Sequence, residues 1–474
     1  VLKKMEYSIR TDKGISDKYS SLDRPLYGTG QGAGWSPPCW AANSDVISHA
    51  MAAHTPGLLL VHPNKKIISN RHLDVFVDDT NHGVTYEAML NFNPSDDHPV
   101  VPKCDHIYEQ IKANMKFYHG ILETTGGALA WPKCKAYIML FEWCNGIKKL
   151  LPTKDTYPPL EIKTSYSNET FFIKLANPDE AFKMLGAFVA LDGNVRAQVE
   201  VLRKYASKWA SRLDLSYLTP HEAIMAYTQV LFPALVYPLA MIALTEKECD
   251  HVVQPAIEAL LRKINLPTTT ARLLLYGHPR LGGLGLPNIY VHSNTLKLMM
   301  LLGHIQKEDS TATILSIALG TAQQQLGISA PFLESNFSKY GYLLEDCWLK
   351  TVWKFLHKIG GSITIQKLWI QKSPFEHNIC LMDKVCEMDL PPDTITQFNL
   401  CRLFKEMHFI TDIYDSQFKK LHPEILRHSK RPFKDMKWPN IVVPTRFWKT
   451  WDSIIKTIHM SMSASGFYPG KQIH

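Results

Sequence analysis

No Cys-x-x-C pair occurs in this chain, and its nine cysteines (Cys39, Cys104, Cys134, Cys144, Cys249, Cys347, Cys380, Cys386 and Cys401) lie far apart. A disulfide framework or a zinc ribbon needs closer, paired spacing, so the thiols are expected to be reduced and mostly buried, in an intracellular protein. No apolar run follows Lys3, Lys4 and Glu6, so a secretory signal peptide is not expected. Internal repeats and low-complexity tracts are absent too. One apolar stretch, 224–244, is long enough to cross a bilayer, but Pro233 and Pro238 interrupt it and Thr228 and Gln229 dilute it. Thr245-Glu246-Lys247-Glu248 behind it reads as a helix-capping box. The stretch is therefore expected as a buried pair of short helices, with no membrane as partner. The first residue is Val1, which favours a fragment or a processed product.

What is present is a globular composition. The 474 residues are 45% hydrophobic and 20% charged, which suits two or three folded domains. A formal charge of +8 is compatible with a phosphate-backbone partner, although many proteins without one reach it. Met5, Tyr7 and Ile9 alternate with polar residues as a half-buried strand does. A helix is expected over 40–53, a loop or hairpin over 56–70, a strand over 73–77 and an amphipathic helix over 107–124. Short strands and turns fill 150–180. Beyond about residue 190 the pattern becomes helical: Val195, Val199, Leu202, Tyr205, Trp209 and Leu213 recur at three- and four-residue intervals as a core face. Further helices are expected over 246–264 and 295–306, and the last third is helical, aromatic-rich and interrupted by prolines.

Four segments carry the chemistry. Phe76-Val77-Asp78-Asp79, behind Leu73 and Val75, reads as a strand that ends by presenting two adjacent carboxylates. Nucleotide polymerisation uses such carboxylates to hold two divalent ions, one activating a primer 3′-hydroxyl and one neutralising the triphosphate. An Asp-Asp turn alone is weak evidence. Upstream, however, stands Tyr27-Gly28-Thr29-Gly30-Gln31-Gly32-Ala33-Gly34-Trp35-Ser36-Pro37, and downstream Thr124-Thr125-Gly126-Gly127-Ala128-Leu129-Ala130-Trp131-Pro132-Lys133-Cys134-Lys135. Tyr276-Gly277-His278-Pro279-Arg280-Leu281-Gly282-Gly283-Leu284-Gly285-Leu286-Pro287 follows further on. In this order the segments resemble the palm motifs, and the Gly-Gly-Leu-Gly-Leu-Pro stretch after the thumb, of reverse transcriptases of the non-LTR retrotransposon type.

The resemblance implies an α/β (α+β) palm fragment of a right-hand polymerase over 1–190, a mostly α-helical thumb over 191–330 and a helical C-terminal extension over 331–474. It implies RNA-directed DNA polymerase activity with magnesium, or manganese, as cofactor. Asp78 and Asp79 would be catalytic metal ligands, Asp78 the more direct, and Phe76 would lie beside the primer end. Gln31 and Gly32 would line the floor beneath template and incoming nucleotide, where a missing Cβ lets a base pair approach. Lys133 would meet the pyrophosphate leaving group, with Lys135 the lesser candidate. RNA template, DNA primer and deoxynucleoside triphosphates are the implied partners, and the nucleus the implied compartment.

Plainer readings stand beside these. The glycines at 28–34 also suit a linker, and no Gly-Lys-Ser/Thr follows them to make a phosphate loop. Lys133 also suits an ordinary solvated lysine, and His72 a structural one. Gly282, Gly283 and Gly285 read as a tight structural turn more than as a phosphate cradle, and Pro287 is taken to preclude a helix directly behind them. The family's first catalytic aspartate, followed by an aromatic-Asp pair, is not recognisable. Asp12 and Asp17 are the nearest candidates, but Gln31 follows Asp12 by only 19 positions (31 − 12) and no aromatic stands between the two aspartates. Residues 3–22 are read as a hairpin, with the fingers and first aspartate expected on sequence outside this chain, so the chain alone is expected to be inactive. For nucleic acid, Arg196, Arg203, Lys204, Lys208 and Arg212 on one helix suit duplex phosphates. Lys419, Lys420, Arg427, Lys430, Arg431, Lys434 and Lys437, with Phe418, Phe433 and Trp438, suit stacking and phosphate pairing. Solvation alone explains either set equally well. A catalytically inactive, retroelement-derived nucleic-acid-binding protein is the alternative function.

Overall fold

The structure, a computed structural model, describes residues 6–7, 10–11, 14–15, 19–20, 36–76, 79–87, 103–125, 129–154, 156–163, 170–366, 368–373, 375, 377–415, 420–428 and 436–465. It is a mixed α and β structure with about 54% helix and small sheets. The chain forms two compact units: Val1–Leu59, Asn70–Leu140 and Pro152–Pro178 make the first, and Leu60–Ser69, Phe141–Leu151 and Asp179–His474 the second.

In the first unit, β1 (Glu6–Tyr7) pairs with β4 (Tyr19–Ser20) and β2 (Arg10–Thr11) with β3 (Gly14–Ile15), both antiparallel, so the expected hairpin is present. Helix α1 (Ser36–His54) starts four residues before the expected boundary. Pro37 and Pro38 are the reason: a helix's first turn has no intrahelical use for the N–H that proline lacks. The hairpin of β5 (Leu58–Val61) and β6 (Ile68–Arg71) fills the expected loop region, and its tip, 60–69, belongs to the second unit. Strands β7 (Asp74–Phe76) and β8 (Asp79–Asn81) pair antiparallel, and α2 (Lys103–Thr124) follows. Ile47 and Met51 of α1 bury against Tyr118 and Leu122 of α2.

A three-stranded sheet makes the rest of this unit. Its order is β12 (Leu160–Lys163), β13 (Thr170–Ala176), β9 (Lys135–Tyr137), with β13 antiparallel to β12 and parallel to β9. Alternation decides its faces: Ile173 and Leu175 are buried with Leu160, Ile162 and Ala136 next to Tyr108 of α2, while Phe172 and Lys174 are exposed. Among the described residues the β7–β8 pair is a separate two-stranded sheet, not part of this one.

The second unit begins with the β5–β6 tip and the hairpin β10 (Phe141–Cys144) and β11 (Ile147–Leu150), then β14 (Phe182–Met184) and β15 (Ala187–Val189). Its first core is helical. Helix α3 (Arg196–Asp214) buries Leu202, Ala206, Ala210 and Leu213, and α5 (Glu246–Lys263) buries Val252, Val253, Ala256, Ile257 and Leu260 in the same cluster. Tyr205, expected in that face, is 44% exposed. The alanines form the close contact, and one residue further back the helix has turned by about 100°.

The apolar stretch is not a pair of short helices. It is one run, α4 (220–240), that changes pitch: α-helical over Pro220–Ala226, π over Tyr227–Leu231, α again over Phe232–Val236 and 3-10 over Tyr237–Ala240. A proline ring collides with the carbonyl four residues back, and the wide π turn ahead of Pro233 relieves that clash. By length and composition the run could cross a membrane; here Ala223, Tyr227, Leu231 and Leu235 bury in the helical core. The capping box at Thr245 is present, with Thr245 Oγ1 accepting from Glu248 N and the Glu248 carboxylate accepting from Thr245 N.

Short helix α6 (Arg272–Tyr276) adds Leu275 to this first core. A second core follows, built by α7 (Ile289–Lys307), α8 (Ser310–Leu326), α9 (Trp348–Lys358), α10 (Leu381–Cys386), α11 (Pro392–Lys405) and α12 (Phe447–Ser465) around Trp353, Phe398, Trp451 and Ile455. The His62 ring lies against α8 at Gly320, where an added Cβ would come within 2.1 Å of Nε2. The seven cysteines whose side chains are described, Cys134, Cys144, Cys249, Cys347, Cys380, Cys386 and Cys401, are free thiols; three of them are buried, fewer than expected.

Two buried cations in this unit contrast. Arg402, with 0% exposure, donates from Nε to Asn399 Oδ1 (2.7 Å), from Nη1 to Met407 O (3.0 Å) and from Nη2 to Gln324 O and Gln325 O (both 2.9 Å). Lys297, also at 0%, has no hydrogen-bond partner for Nζ, and burial lowers its pKa from 10.5 to about 8. The unfolded chain holds the Lys297 proton up to 10.5, so this lysine costs stability in full below pH 8 and the cost vanishes as pH rises to 10.5. We predict that Lys297→Met raises stability at pH 7 by about 1–3 kcal/mol and flattens the rise between pH 8 and 10.5. Arg402→Met should lower it by about 3 kcal/mol or more, because Asn399 Oδ1, Met407 O and Gln324 O lose their donor and Gln325 O keeps only Asn399 Nδ2. Urea denaturation across pH reads both.

Candidate functional site

The candidate Asp-Asp turn sits on a register that pairs Asp74 with Asn81, Val75 with Thr80 and Phe76 with Asp79. Phe76 is described through this backbone pairing; Val77 and Asp78 lie outside the described residues. Asp79 is exposed at the head of β8. The hairpin is held at its far end by an Arg71–Asp74 ion pair and on α2 by Thr80 Oγ1 and Tyr118 OH, 3.1 Å apart. His82 Nδ1 donates to His72 O at 3.2 Å, and burial lowers the His82 pKa, which keeps that ring neutral. His72 thus takes part in the structure through its carbonyl. Asp74, also exposed, is already paired with Arg71; Asp79 is the other exposed carboxylate among the hairpin's described residues.

Among the described residues no group of three His, Cys, Asp or Glu side chains could hold a metal ion. They do not by themselves compose a two-metal centre. Asp12 and Asp17, the nearest candidates for a further carboxylate, lie outside the described residues, as do Gln31 and Gly32.

Lys133 ends the 3-10 turn Trp131–Lys133, which Pro132 favours at its start and which Lys133 N→Ala130 O (2.8 Å) and Cys134 N→Trp131 O (3.1 Å) close. Its side chain is exposed, as is that of Lys135 two residues on in β9. The Cys134 thiol donates weakly to Ala130 O at 3.6 Å, and burial raises its pKa, so it is no ready nucleophile.

The helical basic set divides. Arg196, Lys204, Lys208 and Arg212 are exposed, and the last three recur every four residues, a line of about 12 Å along α3. Arg203 is half-buried and committed: Nη1 donates to His251 O and lies 3.1 Å from His251 Nδ1, fastening α3 to α5. Tyr205 and Val201 are exposed beside the line, a feature that the periodicity concealed by assigning Tyr205 to the core. Of the second basic set, Lys419, Lys430, Arg431 and Lys434, with Phe418 and Phe433, lie outside the described residues. Arg427 pairs with Glu424 at 2.7 Å, Lys420 is exposed, and the Lys437 backbone is engaged by Pro63 and Gln324.

The glycine segment is a closed turn. Leu281 N and Gly283 N donate to His278 O, Gly282 N to Pro279 O, Leu284 N to Leu274 O, Gly285 N to Gly277 O and Leu286 N to Leu275 O, at 2.7–3.3 Å. Six consecutive amides are spent internally, so none is left to cradle a phosphate. Gly282 (φ 81°) and Gly285 (φ 66°) are left-handed, and a Cβ on Gly283 would meet Gly277 O at 2.1 Å. Contrary to the expectation from Pro287, α7 starts close behind, at Ile289: Asn288 Oδ1 accepts from Val291 N (3.0 Å) and caps it. We predict that Gly283→Ala destabilises the second unit by more than 3 kcal/mol, from the backbone overlap, and Gly282→Ala by about 1–2 kcal/mol, from the left-handed backbone alone. Guanidinium unfolding of the two variants measures the difference.

No family model matches this chain, and no curated protein matches it.

Proposed function

We propose that this chain is part of an RNA-directed DNA polymerase of the non-LTR retrotransposon type, acting on an RNA template, a DNA primer and deoxynucleoside triphosphates. The observation that carries the reading is the hairpin in which Phe76 faces Asp79, between the Gln-Gly segment before it and the Gly-Gly…Lys-Cys segment after it. A tight antiparallel pair that ends in adjacent aspartates is the local geometry that nucleotidyl transfer needs, and the order of segments gives it context. Palm and thumb belong to this proposal, as do magnesium or manganese as cofactor and a place of action at chromosomal DNA.

The chain's own groups divide the work as follows. Asp79 presents a carboxylate at the hairpin, and Asp78 is its proposed partner. The implied metal pair would lower the pKa of the primer hydroxyl and offset triphosphate charge. Lys133 offers an ammonium, from a closed turn, to the leaving pyrophosphate. Lys204, Lys208 and Arg212 offer a line of charge to a duplex backbone. The second reading, a nucleic-acid-binding protein without catalysis, rests on the exposed cations of α3 and asks for no metal centre.

Primer extension on an RNA template with magnesium separates the readings. We expect this chain to bind template–primer without extending it, and the same chain with its upstream coding sequence to extend it and to lose that activity on Asp78→Ala. Extension by the chain alone would mean that a complete site exists here, with Asp12 and Asp17 the next to substitute; failure of the longer chain would leave the binding reading. We also predict that replacing Lys204, Lys208 and Arg212 together by alanine flattens the slope of log affinity against log salt by about 2–3, near 0.9 for each phosphate no longer neutralised. Arg203→Ala, which removes a tie between helices, should lower stability and leave that slope unchanged.

A further inference from the structure

Behind the Lys133 turn lies a buried histidine, beside a part-buried glutamate, that the proposed reaction does not use. His119 of α2 is 4% exposed, and its Nε2 is 3.1 Å from Glu123 Oε1, one helical turn on. The approach is off-line: neither ring nitrogen of His119 has a hydrogen-bond partner, and neither has Glu123 Oε2. A phenylalanine or leucine at 119 would fill the space without orphaned polar atoms, so packing alone does not account for a histidine. Its other neighbour is Trp131. The imidazole meets the indole edge-on, with ring centroids 4.7 Å apart and planes at 73°, and Phe171 stacks on the same indole at 4.6 Å and 8°. Trp131 opens the 3-10 turn that Lys133 closes.

We propose that His119 is a positioning residue for Lys133. Set on α2 beside the Glu123 carboxylate, its ring braces Trp131 against Phe171, and the short closed turn passes that constraint to the Lys133 backbone. Wedge and ammonium are two residues apart on a turn with proline between them, so little rotation is lost along the way. The consequence is for the triphosphate of an incoming nucleotide, which meets a lysine whose side chain starts from a fixed backbone, and this part rests on the polymerase reading. An edge-to-face ring pair contributes about 0.5–1.5 kcal/mol, which sets the scale of the effect at up to about tenfold.

The test labels the whole chain with 5-fluorotryptophan and assigns the Trp131 ¹⁹F resonance by its loss in Trp131→Phe. Hydrogen exchange follows the Lys133 and Cys134 amides. In His119→Ala the Trp131 line should move and broaden, and the two amides should exchange about tenfold faster, while the middle of α2 stays protected. His119→Phe, which returns a ring edge, should restore most of the protection. Adding magnesium–dTTP should shift the Trp131 line in the wild type, leave it unmoved in Lys133→Ala, and require about tenfold more nucleotide in His119→Ala. An unchanged line and unchanged exchange in His119→Ala overturn the proposal. Loss of protection along the whole of α2 in both His119 variants overturns it too, because the residue would then hold the helix and not the turn. A wild-type line indifferent to magnesium–dTTP overturns the role given to Lys133 toward the triphosphate, with the loosening of the turn still read from the exchange.

Discussion

The second unit is organised around a guanidinium with no carboxylate. Arg402 reaches out of α11 and gives its hydrogen bonds to the last carbonyls of α8, Gln324 and Gln325, to Met407 and to Asn399. Those carbonyls are the negative end of α8; Gln325 O also accepts from Asn399 Nδ2 at 2.9 Å, whereas Gln324 O depends on the guanidinium. Gly327 closes the helix in a left-handed cap, and the guanidinium occupies the space its Cβ would need, 2.6 Å from Cζ. One side chain therefore decides where α8 stops, what residue follows it and how α11 lies against it. Lys405, one turn along, does the same for the loop at Glu424 and Arg427, donating to their carbonyls at 2.7 and 2.6 Å beneath Trp448. Long cationic side chains serve here as donors for helix and loop ends, a role that their planar or forked donor geometry suits and that charge counting does not reveal.

How far the sequence foretold the structure depends on whether a feature was local. Caps and turns were legible: the Thr245–Glu248 box, the hairpin of residues 6–20 and the closed glycine turn rest on residues within a few positions of one another. Helix existence was legible from periodicity for α3, α5 and α7. Boundaries were less so. The start of α1 falls on prolines, which a first turn tolerates but a helix interior does not, and the start of α7 depends on a cap at Asn288 directly behind Pro287. Pitch was not legible at all: α4 changes from α to π to 3-10 around two prolines, and no residue pattern distinguishes that from two helices with a break. Tyr205 failed for a different reason. Hydrophobic spacing marks a large aromatic as core, but close contact between α3 and α5 selects alanines, and the wide residue is turned out.

For the candidate site the same distinction holds. The Phe76–Asp79 pairing could be foreseen because a strand ending in a tight polar turn needs only its own residues. The commitment of Arg203 could not, since its acceptor, His251, lies 48 positions away. Nor could the His119–Trp131 contact, which depends on the register of a helix against a sheet.

A group whose bonds are spent on structure has little left to give a ligand. The amides from Leu281 to Leu286 are all used within their own turn, so that segment is a shape and not a phosphate site. Arg203 is used between helices, Asp74 on Arg71, Arg427 on Glu424. The candidate groups still exposed on the described surface include Asp79 at the hairpin, Lys133 at its turn, and Arg196, Lys204, Lys208 and Arg212 on one helix. A carboxylate, a single ammonium and a line of cations are three different chemistries, suited to a metal ion, a leaving phosphate and a polyanion. Each alone has a plain explanation in solvation. The polymerase reading is preferred because it gives all three a use in one reaction, while the binding reading uses only the third.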